Sequence, residues 1–569
     1  MSRDPQADRE RLTAIQRAAQ GGELPHAIGL AEAALAEGLE HPLILNLLAL
    51  RHEQAGDLTA AEALLRRAVA LDGADKAARN ALGLCLLRLD RHAEALEQFE
   101  ALAASDAALP FVHASRGTAL FALARVREAE AAFERAVQLD SRQPVALAGL
   151  ARIASYRGAF RQARQWAEGA LERLPGYPDA ELSLAATDLG EQDPLGAETR
   201  LRALLARADL NPEQRAFAGG LLGDALDAQG RTQDAFAAYT DSNEVQRVAF
   251  ASRFASADPT ARQYAEQLAG YLRSAQSARW RAAPPSAAVN PAAGHIFVLG
   301  FLRSGTSLLE VILEGHPQVV SVEESESLID SVQQFMQQPQ DLERFVHAPP
   351  ATLEALRSAY WRRVAQAGAD VTGKVFVDKN PLNTLKLPLI ARLFPQAKIL
   401  FACRDPRDIV LSCFRHRFRM SAPIYELLTL ESAARYYDAV MRVFLECTRL
   451  LPLEFCLVRH EDVVSGFARE MRRVCDFLGL AWDPAMGDFA LRTQGREALT
   501  PSTAQLAKGL NTEGVGHWLR YREQLEPAGA ILAPWVRQFI YDETGASGRL
   551  NQQLNATVIR SPVPSNGVT

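Results

Sequence analysis

The feature that most constrains the fold of this chain is a repeat that runs through its first half with a constant period. Alanine recurs in steps of 34 at Ala27, Ala61, Ala95, Ala129, Ala163 and Ala197, and Ala235 follows after a step of 38. Four positions after each alanine stands a second packing position, occupied by Ala31, Leu65, Phe99, Phe133, Ala167, Leu201 and Tyr239. Residues with this spacing share one face of an α-helix. The period therefore predicts stacked helical hairpins, because each unit can bury its apolar face only against its neighbours.

The repeat resembles the tetratricopeptide (TPR) motif. Gly83 and Gly117, separated by the same step, match the small residue in the first helix of that motif. A generic helical bundle or coiled coil would not sustain such a period. The resemblance implies about seven hairpins in an α-solenoid over residues 10–275. The concave face of such an array commonly binds a peptide or a partner protein, but it can equally serve only for dimerisation, so a homodimer stays open.

Length and composition limit the classes of protein that fit. A chain of 569 residues is too long for one ordinary core, so two or more domains are expected. The net charge of −6 gives no reason to expect nucleic acid as a partner. The six cysteines form no C-x-x-C pair, which is typical of a reducing cytoplasm. We predict a cytoplasmic protein that does not enter a membrane, because neither a signal peptide nor a long apolar segment is evident.

A change of pattern marks a second domain. Residues 276–293 are rich in alanine and proline, lack apolar periodicity and predict a linker. Beyond it, short β-like runs at 295–300, 374–377, 398–403 and 454–458 alternate with amphipathic helices. This alternation predicts an α/β domain with a central parallel sheet over residues 294–545, and the polar residues 546–569 predict a flexible tail.

The first of these runs leads into a phosphate-binding pattern. Gly300 and Gly305, followed by Thr306 and Ser307, have the glycine spacing of a Walker A P-loop. Thr306 stands where that motif requires the lysine that neutralises a nucleoside triphosphate. A loop without this lysine is better suited to a single 5′-phosphate held by backbone N–H groups at a helix N-terminus.

A second phosphate motif follows the run 398–403. Arg404 ends the strand-like run, and Ser412 lies about two turns into the next predicted helix. The guanidinium group offers a fixed fork to a phosphate, and the hydroxyl adds a donor.

Together the two motifs resemble sulfotransferases that use 3′-phosphoadenosine 5′-phosphosulfate (PAPS). The resemblance implies that a loop at the end of the first strand binds the 5′-phosphosulfate and that Arg404 and Ser412 bind the 3′-phosphate. The residues implied at the 5′ end are Arg303, Ser304, Gly305, Thr306 and Ser307.

Three residues are implied to carry the chemistry. The spacing from Arg303 to Glu324 is similar to that of tyrosylprotein sulfotransferases, whose general base is the second glutamate of a pair. A base in this role is expected to be buried with a raised pKa. Arg303 is the implied catalytic cation of the loop, and Lys379 resembles the family lysine that stabilises the leaving group. Glu323 and Glu326 are rivals for the base.

The remaining donor contacts depart from the family pattern. His460 stands where relatives have a tyrosine beside the nucleotide, and His517 stands where they usually have arginine or lysine. Lys508 could supply that missing charge. His316 is a further candidate base, although its Gly-His-Pro turn favours a structural role. The cluster 415–419 could attract an acidic peptide or be a solvated helix end.

These features predict a sulfotransferase that transfers a sulfuryl group from PAPS to a protein or peptide tyrosine recruited by the TPR array. A carbohydrate or small-molecule acceptor, a P-loop kinase or ATPase, and a scaffold with an inactive transferase domain remain alternatives. No metal site is predicted, since no ligand pattern is present and the reaction does not require one.

Overall fold

The structure, a computed structural model, describes residues 5–276, 279–280, 291–493, 506, 509–512 and 514–541. Part of the predicted linker and all of the predicted tail lie outside these residues. Within them, the chain folds into helical repeats followed by an α/β domain, which confirms the predicted fold class.

Seven successive helix pairs make up the repeats. In chain order they are α1 Pro5–Gln20 and α2 Leu24–Ala36, α3 Pro42–Gln54 and α4 Leu58–Leu71, α5 Lys76–Arg88 and α6 His92–Ser105, α7 Pro110–Ala122 and α8 Val126–Leu139, α9 Pro144–Tyr156 and α10 Phe160–Arg173, α11 Pro178–Gly190 and α12 Pro194–Leu205, and α13 Pro212–Ala228 and α14 Thr232–Ala249. Two helices follow them, α15 Ala251–Phe254 and α16 Ala261–Ser274.

The repeat period is visible in the residues that begin the helices and in those that form the turns between them. Pro110, Pro144, Pro178 and Pro212 each begin the first helix of a pair, where the missing N–H of proline costs no hydrogen bond. The turn inside each of the first six pairs contains one residue of positive φ, again in steps of 34. These residues are Gly22, Gly56, Asp90, Ala124, Gly158 and Gln192.

The predicted packing positions form the core of the repeats. All seven alanines of the repeat, from Ala27 to Ala235, are fully buried. Phe133 is buried as well, and its ring fits between Gly117 and Gly149, where an added Cβ would come within 2.5 Å of the ring. The small residue of the motif is therefore required by the aromatic ring of the neighbouring helix.

The second half of the chain contains a five-stranded parallel sheet in the order β2-β3-β1-β4-β5. Its strands are β1 Gly294–Leu299, β2 Val319–Glu323, β3 Val375–Lys379, β4 Lys398–Cys403 and β5 Glu454–Arg459. The predicted runs correspond to four of these strands, and β2 was not predicted. All five strands end at the same edge of the sheet, where α/β folds bind ligands.

Helices and short 3₁₀ turns surround the sheet. The α-helices are α17 Thr306–Leu313, α18 Ile329–Phe335, α19 Asp341–Val346, α20 Pro350–Gln366, α21 Leu387–Leu393, α22 Pro406–Arg415, α23 Ala422–Tyr425, α24 Leu430–Leu450, α25 His460–Ser465, α26 Phe467–Leu478, α27 Phe489–Thr493 and α28 Arg522–Gln538. The 3₁₀ turns are Pro381–Lys386, Pro484–Asp488 and His517–Tyr521.

Both faces of the sheet are covered. On one face, Val298 and Leu400 join an apolar cluster with residues of α17 and α26. On the other, Phe401 stacks on Phe444 of α24 with 3.6 Å between ring centroids, and Phe297 lies against Tyr360 of α20. Burial on both faces explains why the strands are continuously apolar.

The chain forms two compact units that divide between Gln192 and Asp193. The second unit therefore holds α12 to α16 together with the sheet, and α16 packs against α24 within it. The domain limits read from the sequence, 10–275 and 294–545, stay a prediction about organisation.

Across the part of the chain that the structure describes, none of the helices combines the length and apolarity required to cross a bilayer.

The fit of Phe133 generates a stability prediction. We expect Gly117→Ala to lower the free energy of unfolding of the repeats by about 1–3 kcal/mol, because the added methyl group overpacks against the ring. Gly169→Ala is the matched control, since its Cβ would lie an ordinary 3.7 Å from Leu147. The control should gain up to about 1 kcal/mol of helix propensity. Urea denaturation followed by circular dichroism measures both, and a stabilised Gly117→Ala protein would contradict this packing.

Candidate active site

The predicted phosphate loop connects β1 to α17. Gly305 caps α17 with φ of 102°, a conformation that favours glycine, and the helix begins at Thr306. Thr306 is buried, and Ser307 is partly buried in the first turn. The hydroxyl group of Ser304 is also buried and has no hydrogen-bond partner among the described residues. The loop thus combines the N-terminus of a helix with a nearby hydroxyl group that has no hydrogen-bond partner among the described residues.

The second phosphate motif meets this loop directly. Arg404 follows β4, the neighbour of β1, and its Nη1 donates to the main-chain oxygen of Arg303 at 3.3 Å. The Nε of Arg303 in turn donates to Ser412 Oγ on α22 at 3.1 Å. The structure therefore brings both motifs into one hydrogen-bonded cluster.

The cluster is electropositive. Burial, and next the charge of Arg404, lower the pKa of Arg303 to about 10. Burial, assisted by the charges of Arg404 and Arg303, lowers the pKa of His460 to about 3. His460 is therefore neutral at pH 7, and an anion in this place would relieve the repulsion between the two guanidinium groups.

His460 lies beside the loop. A narrow cleft is lined by Ser304, Gly305, Val458 and His460, and the Nδ1 of His460 has no partner among the described residues. The histidine at the family's tyrosine position thus faces the predicted nucleotide loop.

Lys379 and Glu324 form an ion pair at the end of β3. The Nζ of Lys379 lies 2.7 Å from Glu324 Oε1 and 3.4 Å from Oε2 of Glu310, a residue of α17. Ser321 Oγ donates to the other oxygen of Glu310 at 3.1 Å. The lysine is therefore held between two carboxylates.

The two carboxylates differ sharply in exposure. The side chains of Lys379 and Glu310 are 0% exposed, whereas that of Glu324 is 52% exposed. The expectation that Glu324 is buried is therefore wrong. Glu324 directly follows β2, the outermost strand on one side of the sheet. The hydrogen bond from Lys379, rather than burial, sets the position of its side chain.

Arg303 and Glu324 share an unusual backbone conformation. Their φ angles are 65° and 38°, in the left-handed region that residues with a Cβ rarely adopt. Such strain persists only where surrounding contacts enforce it, and it often marks functional positions. Two of the three residues implied to be catalytic carry it.

A segment near the C-terminus covers Arg404. The main-chain oxygen of Gly514 accepts a hydrogen bond from Arg404 Nη2. The N–H groups of Gly516 and Trp518 donate to Asp408 of α22 at 2.7 and 2.8 Å. Lys508, predicted to lie in this region, falls outside the described residues.

Two of the rival candidates for the general base, Glu326 and His316, have other hydrogen-bond partners. Glu326 accepts from Lys386 at 2.7 Å and from Asn380 at 3.3 Å. His316 is buried, and its Nδ1 accepts the main-chain N–H of Gln318 at 3.2 Å, which is a structural role in the turn. The side chain of Glu323 lies outside what the structure describes.

Arg415, the last residue of α22, and Arg417 have carboxylate partners. Arg415 Nη2 donates to Asp227 at 2.8 Å, and Arg417 Nη2 lies 2.7 Å from Asp224. Both carboxylates belong to α13, so these two arginines are not a solvated helix end, and a role of the cluster in attracting an acidic peptide stays a prediction.

Comparisons with known proteins match two families to parts of this chain. The model of the sulfotransferase family matches residues 295–484, and the model of the tetratricopeptide repeat matches residues 12–76, 46–110 and 115–178. The second half of the chain carries a sulfotransferase domain.

Relatives are similar to this chain at low identity. Protein-tyrosine sulfotransferase A of Caenorhabditis elegans is 24% identical over 262 residues, which cover 43% of this chain and 67% of the relative. An uncharacterized protein of Aquifex aeolicus is 26% identical over 255 residues, covering 43% of this chain but only 33% of that protein. The solved sulfotransferase domain of the Synechococcus PCC 7002 olefin synthase is 21% identical, with a TM-score of 0.32 and coverage of 46% of this chain and 99% of the domain.

Several contacts of the sulfotransferase domain were not predicted from the sequence. Glu310 had a signal, because it is the one charged residue inside the apolar segment Thr306–Leu313. Asp408 had none, since its role depends on contacts with a part of the chain that is distant in sequence.

Burial predicts unequal contributions of the two carboxylates to stability. We expect Glu310→Gln to lower the free energy of unfolding of the sulfotransferase domain by about 3 kcal/mol, because it leaves Lys379 buried without its buried partner. Glu324→Gln, at the half-exposed end of the same cluster, should cost less than about 1 kcal/mol. Chemical denaturation at pH 7 compares the two variants. Equal losses would show that the difference in burial has no energetic consequence.

Proposed function

We propose that this chain transfers a sulfuryl group from PAPS to an acceptor hydroxyl, preferably a tyrosine of a protein or peptide. The observation that carries the proposal is the hydrogen-bonded cluster of Arg303, Arg404 and Ser412 beside the Gly305 loop. Two cations at adjacent strand ends suit a nucleotide with phosphate groups on both sides of its ribose.

The donor fits the polar atoms at this place. Ser304 Oγ, Arg404 Nε and His460 Nδ1 are buried without partners among the described residues, and each can bond a phosphate oxygen or a nucleotide base. The loop residues 303–307 would hold the 5′-phosphosulfate, and Arg404 with Ser412 the 3′-phosphate. Thr306 in the lysine position disfavours a nucleoside triphosphate.

The proposed reaction uses Glu324, Arg303 and Lys379. The acceptor oxygen attacks sulfur, a new S–O bond forms, and the bond from sulfur to the 5′-phosphate oxygen breaks. The hydroxyl proton passes to Glu324, and the charge that develops on the departing phosphate oxygen is stabilised by Arg303 and Lys379. No metal ion takes part in this scheme.

Glu310 gives Lys379 a constant partner during this step. When Glu324 accepts a proton, its attraction for Lys379 weakens. The buried carboxylate at 3.4 Å still holds the ammonium group in place. The lysine can then serve the leaving oxygen while it keeps a counter-ion.

A protein acceptor is supported by the repeats and by the relatives. TPR repeats commonly bind peptides, and several relatives are named protein-tyrosine sulfotransferases. We further propose a cytoplasmic location, which is supported by six free and buried cysteines.

Nucleotide binding tests the donor site. We expect 3′-phosphoadenosine 5′-phosphate to bind the full chain and raise its melting temperature, because a ligand of the native state stabilises it. Arg404→Ala should weaken binding by tenfold or more, on the order expected for a charged hydrogen bond. Calorimetry measures the dissociation constants.

The control for this experiment is Arg435→Ala. Arg435 is exposed on α24 and pairs with Glu431 one turn away, so nucleotide affinity should not change. Stabilisation by ATP with magnesium, and not by the bisphosphate, would instead indicate a kinase or ATPase.

Transfer tests the base and the acceptor. We expect Glu324→Gln to lower the turnover number by about 10²–10⁴-fold with unchanged donor affinity, because it removes general-base catalysis. The assay incubates the chain with labelled PAPS and a lysate of its own cells, followed by detection of tyrosine O-sulfate in hydrolysed protein.

Each other outcome has a distinct meaning. Label in glycans or small metabolites would leave the donor chemistry intact and overturn the tyrosine acceptor. Full activity of Glu324→Gln would assign the base elsewhere. Donor binding without transfer to any fraction would favour an inactive domain.

A further inference from the structure

One buried carboxylate of the repeats binds residues that are distant in sequence. Asp227 lies near the end of α13, and its side chain is only 8% exposed. Its Oδ2 accepts from Arg415 Nη2 at 2.8 Å and lies 3.2 Å from His517 Nε2. Its Oδ1 accepts from Tyr521 OH at 2.8 Å and pairs with Arg520 at 3.0 Å. Asp227 thus joins α13 to the end of α22 and to the turn His517–Tyr521.

The carboxylate is ionised in this environment. Burial alone would raise its pKa, but the hydrogen bond from His517 and the charge of Arg415 together lower the pKa of Asp227 below its usual range. Two hydrogen bonds and the nearby guanidinium and imidazole groups of Arg520 and His517 give this carboxylate the partners that a buried charge needs.

The rest of the α13–α14 hairpin contacts the same end of α22. Asn243 Nδ2 of α14 donates to the main-chain oxygen of Phe414 at 2.9 Å, and the rings of Phe236 and Phe414 stack with 5.2 Å between centroids. The hairpin is therefore packed against α22 by apolar, polar and charged contacts in one place.

The groups that Asp227 holds are next to the proposed 3′-phosphate site. Arg415 follows Ser412 closely on α22, and His517 follows Gly514 equally closely. Gly514 accepts from Arg404, and an added Cβ at Gly514 would lie 2.7 Å from the guanidinium group of Arg404. The residues 514–521, called here the covering segment, are thus attached to Arg404 at one end and to Asp227 at the other.

We propose that Asp227 is a positioning residue for the donor nucleotide. By fixing the end of α22 and the covering segment, it orients Ser412 and Arg404 toward the 3′-phosphate, so the last repeat hairpin supports the donor site. This inference rests on the function proposed above. Asp227 itself acts through Arg415, His517 and Tyr521 and does not touch the nucleotide.

The test compares Asp227→Asn with Asp234→Asn in the full chain. Asp234 lies on α14 of the same hairpin but is 56% exposed and pairs with Arg231. We expect Asp227→Asn to weaken binding of 3′-phosphoadenosine 5′-phosphate roughly tenfold, because it breaks charge-assisted hydrogen bonds. The KM for PAPS should rise by a similar factor with kcat nearly unchanged, and Asp234→Asn should resemble the wild type.

Hydrogen exchange gives an independent readout of position. The N–H groups of Gly516 and Trp518 are bonded to Asp408, and their exchange should accelerate in Asp227→Asn and not in Asp234→Asn. If Asp227→Asn fails to fold, Tyr521→Phe removes a single hydrogen bond to Asp227, keeps the ring, and should weaken binding by a smaller factor, about twofold to fivefold.

The outcomes separate this inference from the proposed function. A wild-type chain that does not bind the bisphosphate would overturn the proposed function and the donor role of Asp227 with it. If the wild type binds and Asp227→Asn melts at a lower temperature with unchanged affinity and KM, Asp227 has only a structural role and the inference fails.

Discussion

The site depends on the close approach of Arg404, which follows β4, to Arg303, which lies in the loop after the neighbouring strand β1. Like charges in a partly buried place repel one another, and burial together with Arg404 lowers the pKa of Arg303. The approach persists because β1 and β4 are hydrogen-bonded in fixed register and because Arg404 donates to the Arg303 main chain. The pairing of these strands thus places both cations before an anion binds.

Much of this architecture could be predicted from local pattern. The constant repeat step, the proline at helix starts and the buried alanines recur many times, so single exceptions do not obscure them. Arg404 and Ser412 could be placed at a strand end and in the next helix from the pattern of their segment, whereas their role toward a 3′-phosphate was implied by the family resemblance and stays a prediction. Glu310 and Asp227 could not be placed, since their partners come from other elements and the sequence does not state which elements meet. The exposure of Glu324 was missed because β2 was not predicted as a strand.

Lys379 illustrates how burial can divide roles between two identical side chains. Glu310 and Glu324 contact the same ammonium group, yet the side chain of Glu310 on α17 is fully buried and that of Glu324 is half in solvent. Desolvation makes the inner carboxylate costly to leave unpaired. The outer one can rotate and exchange partners with water, because its side chain is 52% exposed. Because the two side chains differ in solvent exposure, Glu310 is a fixed partner of Lys379 and Glu324 is an adjustable one.

The position of the boundary between the two compact units affects where a segment of this chain could be exchanged for that of another protein. The alanine- and proline-rich stretch suggests a natural point for exchange, but the units divide at Gln192 and Asp193, and α13 contributes carboxylates to Arg415 and Arg417. A chimera joined at the stretch would leave Arg415 and Arg417 without the carboxylates of α13 as counter-charges.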